Sequence, residues 1–336
     1  MSFSTHIVGV GGYLPERIMS NDELATIVDT SDDWIRERTG ITQRHIIDKN
    51  QGTSDLATQA AQQALDDAGL TVHDIDAVIV ATTTPDMVFP STASMVQHKL
   101  GGKGFPCWDI QAVCSGFVYG LAQADGMMKG GMFKRVLLIG AESMSRIVDW
   151  SDRNTCVLFG DGAGAVVLEY KDAEHGILGS VLHCDGSYRD LLMAQHAHPG
   201  ASPNNDRARL DMNTDAAGVA AVSMKGNEVF RFAVTKLGEV VDEVLGKHDL
   251  CKEDLHWLVP HQANIRILNA TAKKLKMSTD QISITVAKHA NTSAASVPLA
   301  LNDLYRKGNI QTGQLLLLEA FAGGFAWGAN LLRWSK

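Results

Sequence analysis

The chain lacks the features that mark membrane-spanning, secreted and nucleic-acid-binding proteins. No apolar run reaches the 18 residues of a membrane helix, and the richest stretch, 315–332, is interrupted by Glu319 and by glycines. The first residues lack the basic segment and the continuous apolar segment of a secretory signal. The net charge is −8, which does not favour nucleic acid as a partner. We therefore expect neither a membrane nor nucleic acid among the partners.

Cysteine is also scarce. The five cysteines are an odd number, they are irregularly spaced, and they include no Cys-x-x-Cys pair. This pattern favours neither a disulfide framework nor a structural zinc site. No cluster of other residues has the spacing of metal ligands either. We therefore expect a cytoplasmic protein without a bound metal.

What the chain does have is the pattern of an α/β protein. It has 336 residues, 45% of them hydrophobic, which is enough for two domains or for one large domain of two halves. Apolar strand-like runs alternate with helical patterns along the whole length. The predicted strands are 77–81, 135–139, 165–169, 257–259 and 315–318. The predicted helices are 54–68, 115–129, 229–245, 265–275 and 294–305.

The order of elements repeats once. Each half reads as a strand, a helix of small residues, a second strand, a glycine-rich turn and a third strand. A repeat this long indicates a duplicated unit, and we place the halves at 1–171 and 172–336. Residues 196–221 break the pattern, because they are rich in Ala, Asn, Asp, Gly and Pro. We predict a long loop around 193–223.

Cys114 is the candidate nucleophile. It lies in the segment Gln-Ala-Val-Cys-Ser-Gly-Phe at 111–117, where a polar and then apolar run meets a helix of small residues. The unpaired N–H groups and the dipole at a helix N-terminus favour a thiolate. Such sites lower a thiol pKa from about 8.5 to roughly 3.5–7.5. We expect a lowered pKa here, although an inert buried cysteine is the alternative.

Two further residues follow the same logic. His261 comes directly after an apolar strand, in Val-Pro-His-Gln-Ala-Asn, where α/β folds place their sites. Asn291 begins the second small-residue helix and aligns with Cys114 in the internal repeat. Each also has a structural alternative, a satisfied core histidine and a helix N-cap. We predict that the two helix N-termini meet in one site.

These segments together resemble the β-ketoacyl-[acyl-carrier-protein] synthase III family. Seven motifs occur in the family's order: TSDDWIRERTGI, VCSGFVYGL, FGDGAGA, KGNEVFRFAV, VPHQANIRI, NTSAASVPLAL and GGFAWG. The resemblance implies the five-layered thiolase-like α/β fold, made of two pseudo-symmetric halves, and a homodimer. It also implies a catalytic set of Cys114, His261 and Asn291, with the backbone N–H groups of Cys114 and Gly323 as the oxyanion hole.

The resemblance also implies the reaction. Cys114 takes an acyl group from acyl-CoA, and malonyl-[acyl-carrier protein] then loses CO₂ and attacks the acyl-cysteine. His261 and Asn291 hydrogen-bond the thioester oxygen where charge develops. No cofactor is implied, because acyl-CoA and the malonyl carrier protein are both substrates.

The remaining contacts implied by the resemblance form three groups. CoA contacts are assigned to Trp34, Arg38, Arg153, Gly226, Phe230, Ala263 and Asn264. The acyl pocket is assigned to Phe89, which a partner subunit inserts, and to Phe159 and Phe321. A basic face for the acidic carrier protein is assigned to Arg266, Lys273 and Lys274, for which a solvated helix face is the alternative.

The chain departs from the family's pattern in three places. Ala290 and Ala322 stand where the family usually has glycine, and the stretch between Leu192 and Met224 is longer than in a typical member. The longer stretch leaves two enzymatic alternatives open. The first is an enzyme that initiates fatty acid synthesis, and the second is a related enzyme that uses a longer acyl-CoA or acts in secondary metabolism. A catalytically silent subunit is disfavoured, because Cys114, His261 and Asn291 are all present.

Overall fold

The computed structural model describes residues 3–195 and 221–336, which contain thirteen strands and nine α-helices. The strands are β1 Phe3–Tyr13, β2 Arg17–Ser20, β3 Gln43–Ile46, β4 Ala77–Ala81, β5 Cys107–Ile110, β6 Arg135–Glu142, β7 Gly162–Asp172, β8 Gly176–Cys184, β9 Leu192–Gln195, β10 Ala221–Met224, β11 Trp257–Pro260, β12 Leu315–Ala322 and β13 Ala326–Arg333. The helices are α1 Asn21–Leu24, α2 Asp32–Thr39, α3 Thr53–Ala68, α4 Thr92–Lys99, α5 Gly116–Lys129, α6 Gly226–Gly246, α7 Ile265–Leu275, α8 Val286–His289 and α9 Ser296–Arg306.

Two sheets have the same internal order. The first runs β1-β7-β6-β4-β5, and the second runs β8-β13-β12-β11. In the first sheet, β4 pairs parallel with β6, and the pairs β6–β7 and β7–β1 are antiparallel. In the second sheet, β11 pairs parallel with β12, and the pairs β12–β13 and β13–β8 are antiparallel. Ile282 forms a parallel bridge to Leu258 of β11. This bridge occupies the position in the second sheet that β5, paired with β4, has in the first sheet. This matched topology confirms the two pseudo-symmetric halves.

The elements stack in five layers. Helix α3 covers the outer face of the first sheet, and α5 and α9 lie between the two sheets. Helices α6 and α7 cover the outer face of the second sheet. The central layer is mainly apolar where it faces the two sheets, and its Phe117, Leu121 and Met128 are fully buried. Each such side chain contributes about 1.5–3 kcal/mol of transfer free energy. The expected five-layered fold is therefore confirmed.

The predicted helices are present, but both central helices begin later than expected. A 3₁₀ turn at Val113–Ser115 precedes α5, and another at Ser293–Ala295 precedes α9. The two turns meet at the centre of the molecule, since a Cβ atom on Gly116 would lie 3.4 Å from the Cβ of Ala294. This meeting point positions the site.

The long loop predicted around 193–223 is described only at its ends. Strands β9 and β10 pair antiparallel, with Leu192 opposite Met224. The rest of that prediction, 196–220, lies outside the described residues. Within the described ranges, no helix combines the length and the hydrophobicity needed to cross a bilayer.

Candidate active site

A cavity of about 450 Å³ connects the surface to the point where the two 3₁₀ turns meet. Cys114, His261 and Asn291 all line it, and their exposed fractions are only 5%, 6% and 6%. The exposed Arg38 and the half-buried Trp34 line it as well. The three residues predicted to act together therefore share one cavity, although they lie up to 177 positions apart in the chain (291 − 114).

Cys114 occupies the middle of the first 3₁₀ turn. The chain leaves β5, and Val113 has φ of +48°, a left-handed conformation that is uncommon for a residue with a branched side chain. The next residue is Cys114, and α5 begins two positions further on. Cys114 packs with Ala322 and Ala326, on either side of the turn that contains Gly323. The predicted oxyanion donor Gly323 thus lies in the turn that flanks the nucleophile.

The expected lowering of the Cys114 pKa is wrong. Burial raises the pKa of this thiol to about 12, because a thiolate there loses most of its hydration. The nearby Glu142 carboxylate also raises the thiol pKa. Hydrogen bonds from Ser293 and from the Cys114 backbone N–H lower this pKa, but by less than burial raises it. The helix N-terminus identified the residue, but desolvation outweighs its effect on the thiol.

His261 is held as a neutral imidazole. Its backbone N–H donates to the Glu319 carbonyl at 2.8 Å, which continues the pairing of β11 with β12. Its Nδ1 lies 2.6 Å from the buried Ser296 hydroxyl at the start of α9. Burial lowers the pKa of His261 to about 3, so the ring carries no charge at neutral pH. Nε2 is therefore the ring nitrogen available to a substrate.

Asn291 is fixed through both its backbone and its side chain. Its N–H donates to the Leu158 carbonyl at 2.9 Å, and its carbonyl accepts from Gly160 N–H at 3.0 Å. The Oδ1 atom accepts from the backbone N–H of Ser293 at 2.9 Å. Because a backbone N–H only donates, the atom facing it is the amide oxygen, and Nδ2 points away. Asn291 is thus oriented as a hydrogen-bond donor.

The predicted alignment of Asn291 with Cys114 is wrong. The second 3₁₀ turn has Ser293 at its first position, with φ of +48°, the value that Val113 has in the first turn. Ala294 is therefore the counterpart of Cys114. Asn291 lies five positions before α9, in an extended bridge to Phe159. The two small-residue helices suggested the wrong register because their 3₁₀ turns are invisible in the hydrophobic pattern.

A buried carboxylate beside the nucleophile was missed by the sequence analysis. Glu142 ends β6 with no solvent exposure, and it accepts hydrogen bonds from the threonines at 82–84 and from Ser293. Burial raises its pKa, against the lowering effect of these hydrogen bonds. The available signal was a glutamate directly after the apolar run 136–141.

The residues assigned to CoA gather at the cavity and its opening. The guanidinium carbons of Arg38 and Arg153 lie 4.7 and 5.1 Å from the Trp34 ring centroid. Arg153 also donates to the Asp29 carbonyl at 3.0 Å. The remaining assigned residues all line the cavity: Gly226, Phe230, Ala263 and Asn264. Asn264 has a structural role too, since its Oδ1 caps α7 by accepting from Ile267 N–H at 3.0 Å.

The three residues assigned to the acyl pocket separate into two groups. Phe159 and Phe321 line the cavity together with β9 and β10, through Leu192, Val222 and Met224. Phe89 does not line it, and its side chain is 82% exposed next to Val88 at 94%. Within one chain, Phe89 is therefore a projecting apolar residue.

The three basic residues assigned to the carrier protein differ in their surroundings. Arg266 lines the cavity, and its guanidinium carbon lies 5.7 Å from the Phe230 ring centroid. Lys273 is exposed. The side chain of Lys274 lies against α6, where its ammonium donates to the Thr235 carbonyl at 2.9 Å and to the Val234 carbonyl at 3.4 Å. Arg266 and Lys273 are thus more available to a partner than Lys274.

Ala290 occupies a backbone conformation that suits glycine, with φ of +57° and ψ of −161°. Ala322, the other departure, lies in the regular strand β12. Among the described residues, no three His, Cys, Asp or Glu side chains come together in a way that could hold a metal ion.

Comparisons with known proteins identify the family of the chain. Residues 108–186 match the family model of 3-oxoacyl-[acyl-carrier-protein] synthase III, and residues 245–334 match the model of its C-terminal part. The chain is 52% identical over 330 residues to the β-ketoacyl-[acyl-carrier-protein] synthase III of Xanthomonas campestris pv. campestris, covering 98% of each chain.

Solved structures give the same result. A 3-oxoacyl-[acyl-carrier-protein] synthase III from Aquifex aeolicus superposes with a TM-score of 0.90 at 44% identity, over 98% of this chain and 100% of that one. The priming β-ketosynthase of the R1128 polyketide pathway also gives a TM-score of 0.90, at 32% identity, over 99% of this chain and 97% of that one. The chain belongs to the β-ketoacyl-[acyl-carrier-protein] synthase III family, and it is a condensing enzyme of the acyltransferase type.

Proposed function

We propose that the protein starts fatty acid synthesis by joining an acyl group from acyl-CoA to malonyl-[acyl-carrier protein], with loss of CO₂. The observation that carries the proposal is the single cavity in which a buried cysteine meets two uncharged donors, His261 and Asn291. A hydrolase needs a base aligned on its nucleophile, whereas a decarboxylative condensation needs donors aimed at an enolate oxygen.

In the first half-reaction, the Cys114 sulfur attacks the thioester carbonyl of acyl-CoA and CoA departs as a thiol. The N–H groups of Cys114 and Gly323 hold the oxyanion. Trp34, Arg38 and Arg153 bind the nucleotide end of CoA, where guanidinium groups complement phosphate. Gly226, Phe230, Ala263 and Asn264 line the path of the pantetheine arm. No resident cofactor takes part in this proposal.

In the second half-reaction, malonyl-[acyl-carrier protein] loses CO₂ and the resulting carbanion attacks the acyl-cysteine carbonyl. Negative charge develops on the malonyl thioester oxygen, which Nε2 of His261 and Nδ2 of Asn291 bind as donors. Ser296 supports this role of His261: when its hydroxyl donates to Nδ1, the ring proton lies on Nε2. A preorganised donor of this kind contributes about 10²–10³ in rate.

The proposal includes a homodimer and a cytoplasmic location. The projecting Phe89 and Val88 support the dimer, since exposed apolar side chains in one patch mark interaction sites. Phe89 would close the acyl pocket of the partner, alongside that pocket's Phe159 and Phe321. Arg266 and Lys273 would guide the acidic carrier protein, with a smaller contribution from Lys274, whose ammonium is held against α6.

A second candidate uses a longer acyl-CoA or acts in secondary metabolism. It is favoured by β9 and β10, which add the apolar side chains of Leu192, Val222 and Met224 to the cavity wall. The likeness to a priming polyketide β-ketosynthase is compatible with it.

One assay tests the reaction and separates the two candidates. The purified protein is incubated with malonyl-[acyl-carrier protein] and acyl-CoAs of two to twelve carbons, and β-ketoacyl carrier protein is measured by mass spectrometry. The proposal predicts product formation with an acyl adduct on the Cys114 peptide. The highest kcat/KM with acetyl-CoA supports the first candidate, and a maximum at longer chains supports the second. An adduct on Cys107 or Cys156 instead would overturn the assignment.

A further inference from the structure

Glu142 is a fully buried carboxylate that the reaction above does not use. It lies at the end of β6, and β4 alongside it continues into three consecutive threonines. Thr84 Oγ1 donates to Oε2 at 2.6 Å, and Thr83 donates to Oε1 through its hydroxyl at 2.9 Å. The Thr83 backbone N–H lies 3.1 Å from Oε2, and Thr82 Oγ1 lies 3.3 Å from it. The donors hold the carboxyl group in one orientation.

One further donor connects this carboxylate to the nucleophile. The Ser293 hydroxyl donates to Glu142 Oε1 at 3.0 Å, and Ser293 begins the 3₁₀ turn that packs against the Cys114 turn. A hydrogen bond from the same hydroxyl favours the Cys114 thiolate and so lowers the pKa of that thiol. A serine hydroxyl has one proton to donate and can accept at the same time. When Ser293 donates to Glu142, its oxygen is free to accept the Cys114 thiol proton. Ser293 thus offers a relay between the thiol, whose pKa it lowers, and the carboxylate, to which it donates.

The cavity offers no better acceptor for the thiol proton among the described residues. His261 resists a positive charge, since burial lowers its pKa to about 3, and Asn291 is an amide. Glu142 has the opposite tendency, because burial raises its pKa and makes it a stronger base than an exposed carboxylate. Burial therefore favours the protonated form of Glu142, which is neutral, and disfavours the protonated form of His261, which is charged.

Charge balance favours the same transfer. If the thiol lost its proton to solvent, a thiolate and a carboxylate would both be buried, and their repulsion would oppose ionisation. If the proton moves to Glu142, the site holds one negative charge before and after the step. The negative charge only shifts from oxygen to sulfur, so the cost of burying a second charge is avoided.

We propose that Glu142 accepts the proton of Cys114 through the Ser293 hydroxyl when acyl-CoA acylates the enzyme. The S–H bond breaks, Ser293 takes that proton, and its own proton passes to Glu142 Oε1. The sulfur then bonds to the acyl carbon, and the carbon–sulfur bond to CoA breaks. The departing CoA thiolate regains a proton from Ser293, which recovers one from Glu142. The inference rests on the proposed function, since it concerns the first half-reaction.

The test measures acylation alone, by rapid quenching with acyl-CoA and mass spectrometry of the Cys114 peptide. Glu142→Gln and Ser293→Ala should each slow acylation by about 10²-fold, the usual contribution of a positioned proton acceptor. The double variant should be no slower than either single variant, because both remove the same pathway. Ser115→Ala is the control: its buried hydroxyl donates to the Ala326 carbonyl at 3.0 Å, beside Cys114 but outside the relay.

Alkylation of Cys114 by iodoacetamide across a pH range separates proton transfer from simple electrostatics. Loss of the Glu142 charge lowers the thiol pKa, so an electrostatic role predicts that Glu142→Gln acylates as fast as the wild type or faster. Proton transfer predicts slower acylation even though alkylation begins at a lower pH. Acylation at the wild-type rate in both single variants, or additive losses, would overturn the inference.

Two further outcomes are also informative. Thermal unfolding checks each variant, and if Glu142→Gln does not fold, Ser293→Ala decides, because it leaves the threonine donors of Glu142 in place. Failure of the wild type to form any adduct on Cys114 would overturn the proposed function, and this inference with it. A wild type that acylates while Ser293→Ala acylates equally fast would overturn only the proton pathway.

Discussion

The turns Val113–Ser115 and Ser293–Ala295 have the same backbone shape in the two halves, but they carry different chemistry. Each begins with a residue at φ of +48° and leads into a central helix. The first has Cys114 in its middle position, and the second has Ala294. The two donors that we propose for the second half lie elsewhere, His261 after β11 and Asn291 before the turn. The duplicated backbone brings two helix N-termini together, while the side chains that we propose to be catalytic come from both halves.

Two buried glutamates show the same divergence. Glu142 in β6 has hydroxyl and amide donors, whereas both carboxyl oxygens of Glu319 in β12 have no hydrogen-bond partner among the described residues. Burial raises the pKa of Glu319 to about 8, so this group is mostly protonated at neutral pH. The first half thus surrounds its acid with donors for an ionised form, and the second buries a neutral one.

The largest expected effect comes from removing the feature that only the first turn has. Cys114→Ser should reduce acyl transfer by more than about 10⁴-fold, since a nucleophile lost from an otherwise intact site has effects of this size. A serine alkoxide is also much harder to form than a thiolate. Acyl transfer is measured with radiolabelled acyl-CoA, and Cys107→Ser serves as the matched control with retained activity. A variant with serine at 114 that turns over normally would remove the distinction between the two turns.

Charged residues of the two halves should affect the binding of different substrates, because Arg38 and Arg153 are assigned to CoA and Arg266 and Lys273 to the carrier protein. Replacing Arg266 and Lys273 with alanine should raise the KM for malonyl-[acyl-carrier protein] by about tenfold and leave that for acyl-CoA nearly unchanged. Lys274→Ala should have a smaller effect, since its ammonium is bonded to α6 carbonyls. Added salt should mimic the double substitution, because screening weakens charge attraction. Equal effects of salt and of the substitutions on both substrates would instead indicate an ordinary solvated helix face.

Stability should depend on pH through Glu319. Its pKa is raised in the folded state from 4.5 to about 8, so the folded protein binds more protons and the free energy of unfolding falls as pH rises through that window. Glu319→Gln should remove this part of the pH dependence, making the variant relatively more stable above pH 8. Urea titrations across the range test this, with the exposed Glu37→Gln as control. A parallel pH profile for Glu319→Gln and wild type would contradict the buried neutral acid.

The smallest effect concerns the two alanines at positions where the family usually has glycine. Ala290→Gly should raise the free energy of unfolding by about 1 kcal/mol, because glycine relieves strain at φ of +57°. Ala322→Gly should lower it by about 0.5–1 kcal/mol, since a regular strand gains nothing from glycine. The two variants are compared by chemical denaturation. A change of the same sign at both positions would show that strain does not distinguish them.

The fold was predictable from the sequence because the apolar periodicity is strong and occurs twice. The position of Cys114 was also predictable from the small-residue helix that it precedes, and that of His261 from the apolar strand that it follows. The 3₁₀ turns were not, because they depend on left-handed residues such as Val113 and Ser293, whose side chains carry no signal for that conformation. For the same reason the register of Asn291 was wrong. The raised thiol pKa could not be predicted either, since desolvation depends on packing between distant segments.

We propose that the nucleophile and the two donors serve separate half-reactions. The most direct measurement compares, for His261→Ala and for Asn291→Ala, the rate of acyl adduct formation on Cys114 with the rate of CO₂ release from malonyl-[acyl-carrier protein]. We expect acylation close to the wild-type rate and decarboxylation slower by about 10²–10³-fold. Loss of acylation in both variants, with CO₂ release retained, would contradict it.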